Sequence, residues 1–445
     1  MKRCLVLCLM IPLLSSFGQE KADTQVQTLT IKEAIAVGLN QSRTLRSSAA
    51  RLEAAEARLG EVRASRLPVI KGEASYRRLS DVDPFQVQVP IFPQPIVISP
   101  TVLDNTAFRV SLQQPLFTGF RISSTIRVAE LSAQAIAFDQ VSDTLDLVQN
   151  IVGAYFTLYQ AREVERYAVE NVTRLEQYAR DTDRLLTAGA ATRNDVLRIQ
   201  VQLSSARLGL IDAQNDARLA AMNLNILLGR PIDMPVKLAS KPEDASWTRL
   251  PRLEGALKHA LAWRHELRAA RTRVEASKAS VAAAQSGWWP QIALTGNAYY
   301  ARPNARYMPA RDEFKGTWDI GVVLSMDLWN WGQTARQSEQ AEATLKQAEL
   351  MAAQMDEMVS LEVHRTYLLD KRAEERVKVA SLAVQQAEEQ SRITEDKYKN
   401  GLATSADLLD AQVALYQAKT TMSGAQVERA IAGTRFMRST GGVRP

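Results

Sequence analysis

The chain has 445 residues, 55 basic against 49 acidic side chains and a formal net charge of +6, with both signs interspersed along it. That balance, with no basic arm and no aromatic-interleaved basic patch, argues against nucleic acid as a partner. Glycine is sparse at 20 residues, and Ala, Glu, Gln, Arg and Leu dominate the long segments, as in extended helices rather than an ordinary soluble enzyme.

Lys2 and Arg3 precede an apolar run from Cys4 to Leu14, followed by Ser15, Ser16 and Gly18. This is the pattern of a secretory signal over residues 1–18, cut after Gly18. The run is too short for a spanning helix, which needs about 20 residues. Both cysteines, Cys4 and Cys8, lie inside it, so the mature chain is expected to hold no disulfide, thiolate metal site or lipidated cysteine. Cleavage removes Lys2 and Arg3 and lowers the charge from +6 to about +4. No later segment approaches a spanning apolar helix, so entry into a membrane requires strands.

From residue 31 the chain is written twice. Residues 31–70 align without a gap to 253–292, and residues 115–229 align to 327–441. The unit is too long for a solenoid repeat of about 20–50 residues, so one helix-and-strand module is duplicated and fused. The connection around Pro84 to Pro100 is ten residues longer than its counterpart. The expected first repeat is 19–230, with helices 31–66, 121–187 and 192–227 and strands at about 68–79 and 105–117. A linker over 231–251 leads to the second repeat, 252–445, with helices 252–288, 332–400 and 404–438 and strands at about 291–302 and 317–329.

Phe138, Val141, Leu145, Val148, Val152, Tyr155 and Tyr159 are spaced alternately by three and four, a coiled-coil seam. Each long helix would reach ~100 Å at ~1.5 Å per residue, which predicts a rod rather than a globule. Pro68 and Pro290 mark where the shorter helices stop.

The four strand segments alternate one apolar and one polar face. Ile70, Gly72, Ala74 and Tyr76 oppose Lys71, Glu73, Ser75 and Arg77, and Trp318, Ile320, Val322 and Leu324 oppose Asp319, Gly321 and Val323. Each has about the 9–11 residues of a tilted membrane strand. A soluble hairpin on a core is the plain alternative for any one pair; four matched strands in a secreted, helix-rich rod favour the membrane. An open sheet cannot sit in lipid, because its edge amides lack partners. Four strands cannot close a barrel. Two copies would give eight strands around an interior largely filled by side chains, and three copies would give twelve around a lumen. A trimer is the simplest pore, though the sequence leaves other numbers open.

The three histidines do not form a metal set: His259 and His265 are six apart, and His364 interrupts a helical heptad. No phosphate-binding glycine loop or nucleophile elbow is present, so no catalytic residue and no cofactor is expected.

The duplicated helix–hairpin–helix plan, Gln113-Gln114-Pro115-Leu116-Phe117-Thr118-Gly119, Leu328-Trp329-Asn330-Trp331-Gly332 and two paired turns together resemble the TolC family of outer-membrane efflux and secretion channels. The turns read Arg184-Leu185-Leu186-Thr187-Ala188-Gly189 and Asp396-Lys397-Tyr398-Lys399-Asn400-Gly401; the second departs from the family's Arg-Leu-x-x-x-Gly pattern. The resemblance covers the mature chain and implies a mainly α fold with membrane β: a homotrimer with a twelve-stranded barrel in the outer membrane above a periplasmic helical tunnel. It further implies a passive exit duct that docks on a periplasmic adaptor and an inner-membrane pump. A periplasmic adaptor, or a structural coiled coil without a barrel, is the alternative class.

At the turns, Gly189 and Gly401 stand where a helix stops, and Thr192-x-x-Asp195 and Thr404-x-x-Asp407 fit the pattern that caps the next helix. The functional reading makes Arg184, Leu185, Gly189, Thr192, Tyr398, Gly401 and Thr404 the adaptor-docking tips. Asp407 and Asp410 share a helix face, and the resemblance implies that they line the closed aperture and bind cations, against a plain solvated acidic patch. It also implies an Asp195–Tyr398 hydrogen bond at the aperture, weakened by Ala403 where a similar channel carries an arginine.

Overall fold

The protein was described from a computed structural model covering residues 28–88, 90–91, 93–94, 96–99, 101–245 and 252–442. The expected signal segment 1–18 and residues 246–251 of the expected linker lie outside these. The first repeat runs β1 (Thr28–Leu29), α1 (Ile31–Gln41), α2 (Arg43–Ala64), β2 (Val69–Arg78), β3 (Phe85–Val87), β4 (Ile96–Ser99), β5 (Asp104–Thr118), α3 (Arg121–Thr187) and α4 (Arg193–Leu228). Then come β6 (Lys237–Leu238), α5 (Leu253–Trp263), α6 (His265–Ala284), β7 (Gln291–Arg302), β8 (Lys315–Ser325), α7 (Gln333–Lys399) and α8 (Ser405–Ser439).

The two long helices, α3 and α7, have 67 residues each, ~100 Å at ~1.5 Å per residue. Helices expected over 31–66 and 252–288 are each broken, at Ser42 and at Arg264. The breaks have a shared cause. The C-terminal end of α4 abuts Gln41 so closely that a Cβ on Gly229 would lie 2.6 Å from the Gln41 carbonyl oxygen. The end of α8 abuts Arg264 in the same way, with Gly441 3.5 Å from the Arg264 backbone nitrogen by the same measure. Thus α2 continues the line of α4, and α6 continues the line of α8.

Packing gives the lateral order α2/α4, α3, α6/α8, α7. Because α3 is interior to this layer, it is buried beyond the predicted seam. Val148, Val152 and Tyr155 are buried as the spacing predicts, but so are Ile151, Phe156 and Leu158, whereas Val141 is exposed. The short parallel pair β1–β6 lies against α3, where the Tyr155 hydroxyl donates to the Leu29 carbonyl (2.8 Å) and accepts from the Ser240 amide (2.9 Å).

The main sheet has order β2-β5-β7-β8, all antiparallel, the same order as the helices they join. Register puts Gly72, Val110, Ala298 and Trp318 on one line across the sheet, and Ile70, Leu112, Gly296 and Ile320 on the next on the same face. The opposite face carries Lys71, Glu73, Arg109, Asn297 and Asp319. A bulge at Pro115–Phe117 leaves Leu116 as the extra residue, at a site where proline has no amide to give the ladder. The fourth strand ends at Ser325 rather than near 329, because β7 starts at Gln291 and offers nothing beyond that pair. Both β2 and β8 have one unpaired edge.

Two aromatic bands bound the apolar face. Phe117, Phe120, Trp289, Trp329 and Trp331 sit where strands meet helices, with Phe120–Trp289 and Trp329–Trp331 edge to face. Phe108, Tyr300 and Phe314 form the band at the far end, with Tyr300 stacked on Phe314 at 5.1 Å. From Ile292, opposite Phe117, to Tyr300 is eight steps, ~27 Å along the strand at ~3.4 Å each. Tilted by ~40°, that rises ~20 Å, close to the ~25 Å apolar band of outer-membrane barrels.

The turn from β5 into α3 uses Gly119 (φ 59°) and Phe120 (φ 67°) in the left-handed region. A Cβ on Gly119 would lie 2.6 Å from the Ser286 carbonyl oxygen and 2.7 Å from Trp289 Cβ, so glycine is required twice over. Gly119→Ala should sharply reduce heat-modifiable oligomer in outer-membrane fractions, whereas Gly60→Ala, on open helix surface, should leave it unchanged. Equal yields from the two variants would show that the joint is not constrained.

Candidate functional site

At the end of the molecule remote from the sheet, α3 turns into α4 and α7 into α8. Both turns close with the same backbone pattern. The Gly189 amide donates to the Leu186 carbonyl (3.0 Å) and the Ala190 amide to Leu185 (2.8 Å); Gly401 donates to Tyr398 (3.0 Å) and Leu402 to Lys397 (2.8 Å). These are Schellman caps, with Gly189 at φ 73° and Gly401 at φ 69°. Each next helix starts with a complete capping box. The Thr192 amide and hydroxyl donate to Asp195 Oδ2 (2.9 and 2.6 Å), and the Thr404 amide and hydroxyl to Asp407 Oδ2 (2.9 and 2.7 Å). Two glycines and two Thr–Asp pairs therefore build two matching hairpin tips.

The tips are joined side by side. Leu175, Tyr178, Ile199, Leu408 and Leu409 form a buried cluster between the hairpins, with Leu203 and Tyr398 packed on it. Above that cluster Gln412 Nε2 donates to Asn171 Oδ1 (3.2 Å). Ser405 Oγ donates to Asp195 Oδ1 (2.5 Å), and the Tyr398 and Thr182 hydroxyls pair at 2.8 Å.

The anticipated Asp195–Tyr398 bond is not made. One Asp195 oxygen is held by its own cap and the other faces Ser405, so the Tyr398 phenol turns to Thr182 on α3 instead. Hydrogen bonds from Ser405 and then Thr192 hold the Asp195 carboxyl down at about 2. The Thr404 hydroxyl and amide likewise lower Asp407. Arg184 and Gly189 are exposed at the first tip and Gly401 and Thr404 at the second, while Leu185 and Tyr398 are half-buried. Arg184 lies 3.4 Å from Asp181. Asp407 and Asp410 are both exposed on the first two turns of α8.

A second polar cluster had no signal in the sequence. At the break between α5 and α6, the buried Arg264 pairs with Glu266 (3.1 Å) and with Glu362 on α7. The buried Arg438 of α8 pairs with the same Glu266 and with Asp146 on α3 (2.8 Å). Burial raises the Glu266 carboxyl, but hydrogen bonds from Arg264 and Arg438 outweigh it and hold the group at about 2. Four helices meet on this network. The aligned positions of the first repeat, Ser42 and Ile226, carry no charge, so neither periodicity nor repeat matching exposes it.

Among the described residues no helix is long and apolar enough to cross a membrane, and no His, Cys, Asp or Glu cluster has the arrangement of a metal site. A two-faced sheet with aromatic bands, carried on a double-length helical layer, defines a class: outer-membrane channels of efflux and secretion systems. The chain matches the outer membrane efflux protein family over residues 35–230 and 256–442, and it belongs to that family. The toluene efflux pump outer membrane protein TtgC of Pseudomonas putida is 24% identical over 326 residues, 71% of this chain and 66% of TtgC. The alkaline protease secretion protein AprF of Pseudomonas aeruginosa is 23% identical over 349 residues, 75% of this chain and 69% of AprF. The crystal structure of CusC shares the fold with a TM-score of 0.79 at 18% identity, covering 93% of this chain and 92% of that one. The protein is thus an outer-membrane protein with a TolC-like fold, and the readings as an adaptor or as a coiled coil without a barrel are set aside.

The Asp195 carboxyl is lowered, so its contribution to the tip is complete above the ordinary carboxylate range and is lost only as pH falls through about 2. Amide hydrogen exchange of 176–200 and 396–412 should therefore be equally protected at pH 5 and pH 7 after correction for intrinsic rates. Ser405→Ala removes a charge-assisted bond worth ~1.5–3 kcal/mol, and should speed exchange there roughly tenfold or more while the sheet stays protected. Unchanged exchange in that variant would show that the Ser405–Asp195 bond does not hold the tips.

Proposed function

We propose that three copies of this chain close head to tail into a passive exit duct, a twelve-stranded barrel in the outer membrane continued by a helical tunnel across the periplasm. The observation that carries the reading is the coincidence of order. Edge strands β2 and β8 stand over edge helices α2 and α7, so one heterologous interface seals barrel and tunnel together. Unpartnered apolar residues support it on both edges: Leu197, Val201 and Leu208 on α4, and Met358, Leu361 and Leu368 on α7 are exposed at helical spacing. Three copies suit the charged inner face because eight strands would enclose an interior filled by side chains, whereas twelve leave room for water.

In this arrangement the two tips ring the periplasmic end. Arg184, Leu185, Gly189 and Thr192, with Tyr398, Gly401 and Thr404, are the surface offered to a periplasmic adaptor, through which an inner-membrane pump supplies the energy. No step of transport requires catalysis or a cofactor from this chain. The relatives' names, one a toluene pump component and one a protease secretion protein, support a duct whose cargo is chosen by its partners. Asp407 and Asp410 of three copies would stack as two carboxylate rings at the aperture, where anionic rings favour and retain cations. The Asp407 cap leaves its second oxygen free for that role.

Arg184→Glu, or Gly401→Trp, which forces a bulky side chain onto a left-handed residue, should abolish export of the partner pump's cargo while oligomer yield stays normal. Normal export in both would remove the tips from docking. Separately, Asp407→Asn with Asp410→Asn should eliminate block of single-channel current by polyvalent cations in a planar bilayer; persistent block would refute the carboxylate rings.

A further inference from the structure

The connection between β7 and β8, at the end of the sheet far from the helices, does not extend away from it. Its first turn, at Asn304 to Arg306, folds back over the polar face. The side chain of Asn304 is buried there: Nδ2 donates to the Lys315 carbonyl (2.9 Å) and to Thr317 Oγ1 (3.1 Å), and Oδ1 accepts from the Arg306 amide (3.0 Å). This turn delivers the Arg306 side chain onto the sheet. Its Nη1 donates to the Trp318 carbonyl (2.7 Å) and its Nη2 to Asp319 Oδ2 (2.9 Å).

Asp319 is already part of a chain of contacts that crosses all four strands. Asp319 Oδ1 accepts from Asn297 Nδ2 (2.8 Å), Asn297 Oδ1 accepts from Arg109 Nη2 (2.8 Å), and Arg109 lies 3.8 Å from Glu73. With Lys71, which shares the register line of Asn297 and Asp319, the strands here carry two carboxylates and two cations. Arg306 adds a third cation and makes the band net positive. A cavity of about 500 Å³, bordered by Arg77, Tyr299, Asn304, Arg306 and Asp319, opens beside the folded-in loop.

We propose that Arg306 is a selectivity-determining residue at the outer mouth of the channel. The inference rests on the trimeric duct reading, in which the polar face lines the lumen. Three loops then insert three guanidinium groups into a ring whose strand charges otherwise balance, tipping it against the cations that its carboxylates would favour. Asn304 is the positioning residue, since its buried amide fixes the turn from which Arg306 reaches.

The test is the reversal potential of the purified protein in a planar bilayer under a tenfold KCl gradient, at salt low enough that screening does not erase the effect. Each variant is first checked as a heat-modifiable oligomer. Arg306→Ala should move the reversal potential toward that of K+, and Asp319→Asn toward that of Cl−. The double variant should return close to the parent, and Arg306→Lys should match it. Unchanged potentials in both single variants, or shifts of the same sign, would overturn the proposal while leaving the duct intact. Failure of the parent protein to conduct at all would instead sink the duct reading, and this inference with it.

Discussion

A peptide group taken out of water has to find another partner, and at the two edges of the main sheet no further strand stands among the described residues. Strands β2 and β8 are 10 and 11 residues long. About half of the backbone groups on each point outward, roughly ten per edge. At ~2 kcal/mol or more for each unpaired group in an apolar medium, the two edges would cost tens of kcal/mol. The entire net stability of a domain is only ~5–15 kcal/mol. The outward apolar face and its aromatic bands suit lipid, where such edges need partners, and the proposed assembly supplies them from other copies. Everything below the sheet has to accommodate that closure.

The helical layer does so by copying the order of the strands. Since β2 follows α2 and β8 precedes α7, the edge of the sheet and the edge of the helical layer lie on the same sides of the chain. In the proposed assembly the exposed apolar residues on α4 and α7 are not defects of a monomer but halves of a seam. Their spacing is that of knobs awaiting holes. The same geometry explains why the tip hairpins are tied within one chain by so few polar bonds. Between neighbouring hairpins the buried cluster around Leu175 and Leu408 supplies most of the cohesion, and Ser405–Asp195 and Thr182–Tyr398 fix alignment.

What was legible in the sequence was whatever repeats along a single element. Period-two alternation at 70–76 and 292–300 is enforced by lipid on one side and water on the other. The glycines and Thr-x-x-Asp pairs of the tips are local backbone chemistry, and local chemistry reads directly. What failed depended on a partner distant in sequence. Met326 and Leu328 continue the apolar alternation, yet β8 stops at Ser325 because β7 has no residue left to pair with them. The breaks at Ser42 and Arg264 carry no proline and arise from helix ends arriving from elsewhere. Tyr398 pairs with Thr182 and not with Asp195, whose carboxylate has its cap and Ser405 as partners. The aromatic bands were within reach: four of the seven tryptophans, Trp288, Trp289, Trp329 and Trp331, flank predicted strand ends.

The two repeats share a backbone plan, but the second holds it with charges that the first lacks. In the first, α1, α3 and the end of α4 meet on an apolar cluster that includes Ile35, Ile151, Leu158 and Leu228. The second has a matching apolar cluster that includes Ala256, Val363 and Phe436, but positions aligned with Leu158 and Ala217 are Asp370 and Arg429, which pair, and the helix junction adds the network of Arg264, Glu266 and Arg438. Position in the layer accounts for the difference. Ile226 lies on the edge helix α4 and is exposed, whereas the aligned Arg438 lies on the interior helix α8 and is buried. An apolar cluster tolerates small slips because attraction between hydrocarbon groups has no direction. A buried charge tolerates none, since losing one partner of such a pair costs ~3–5 kcal/mol. The first repeat is therefore joined here by contacts indifferent to fine alignment, and the second adds to such contacts a set that permits a single alignment. The two modules have the same plan, but their returning helices have unequal surroundings, α4 at the edge and α8 between neighbours, and the charged joint is found where the helix is enclosed on both sides.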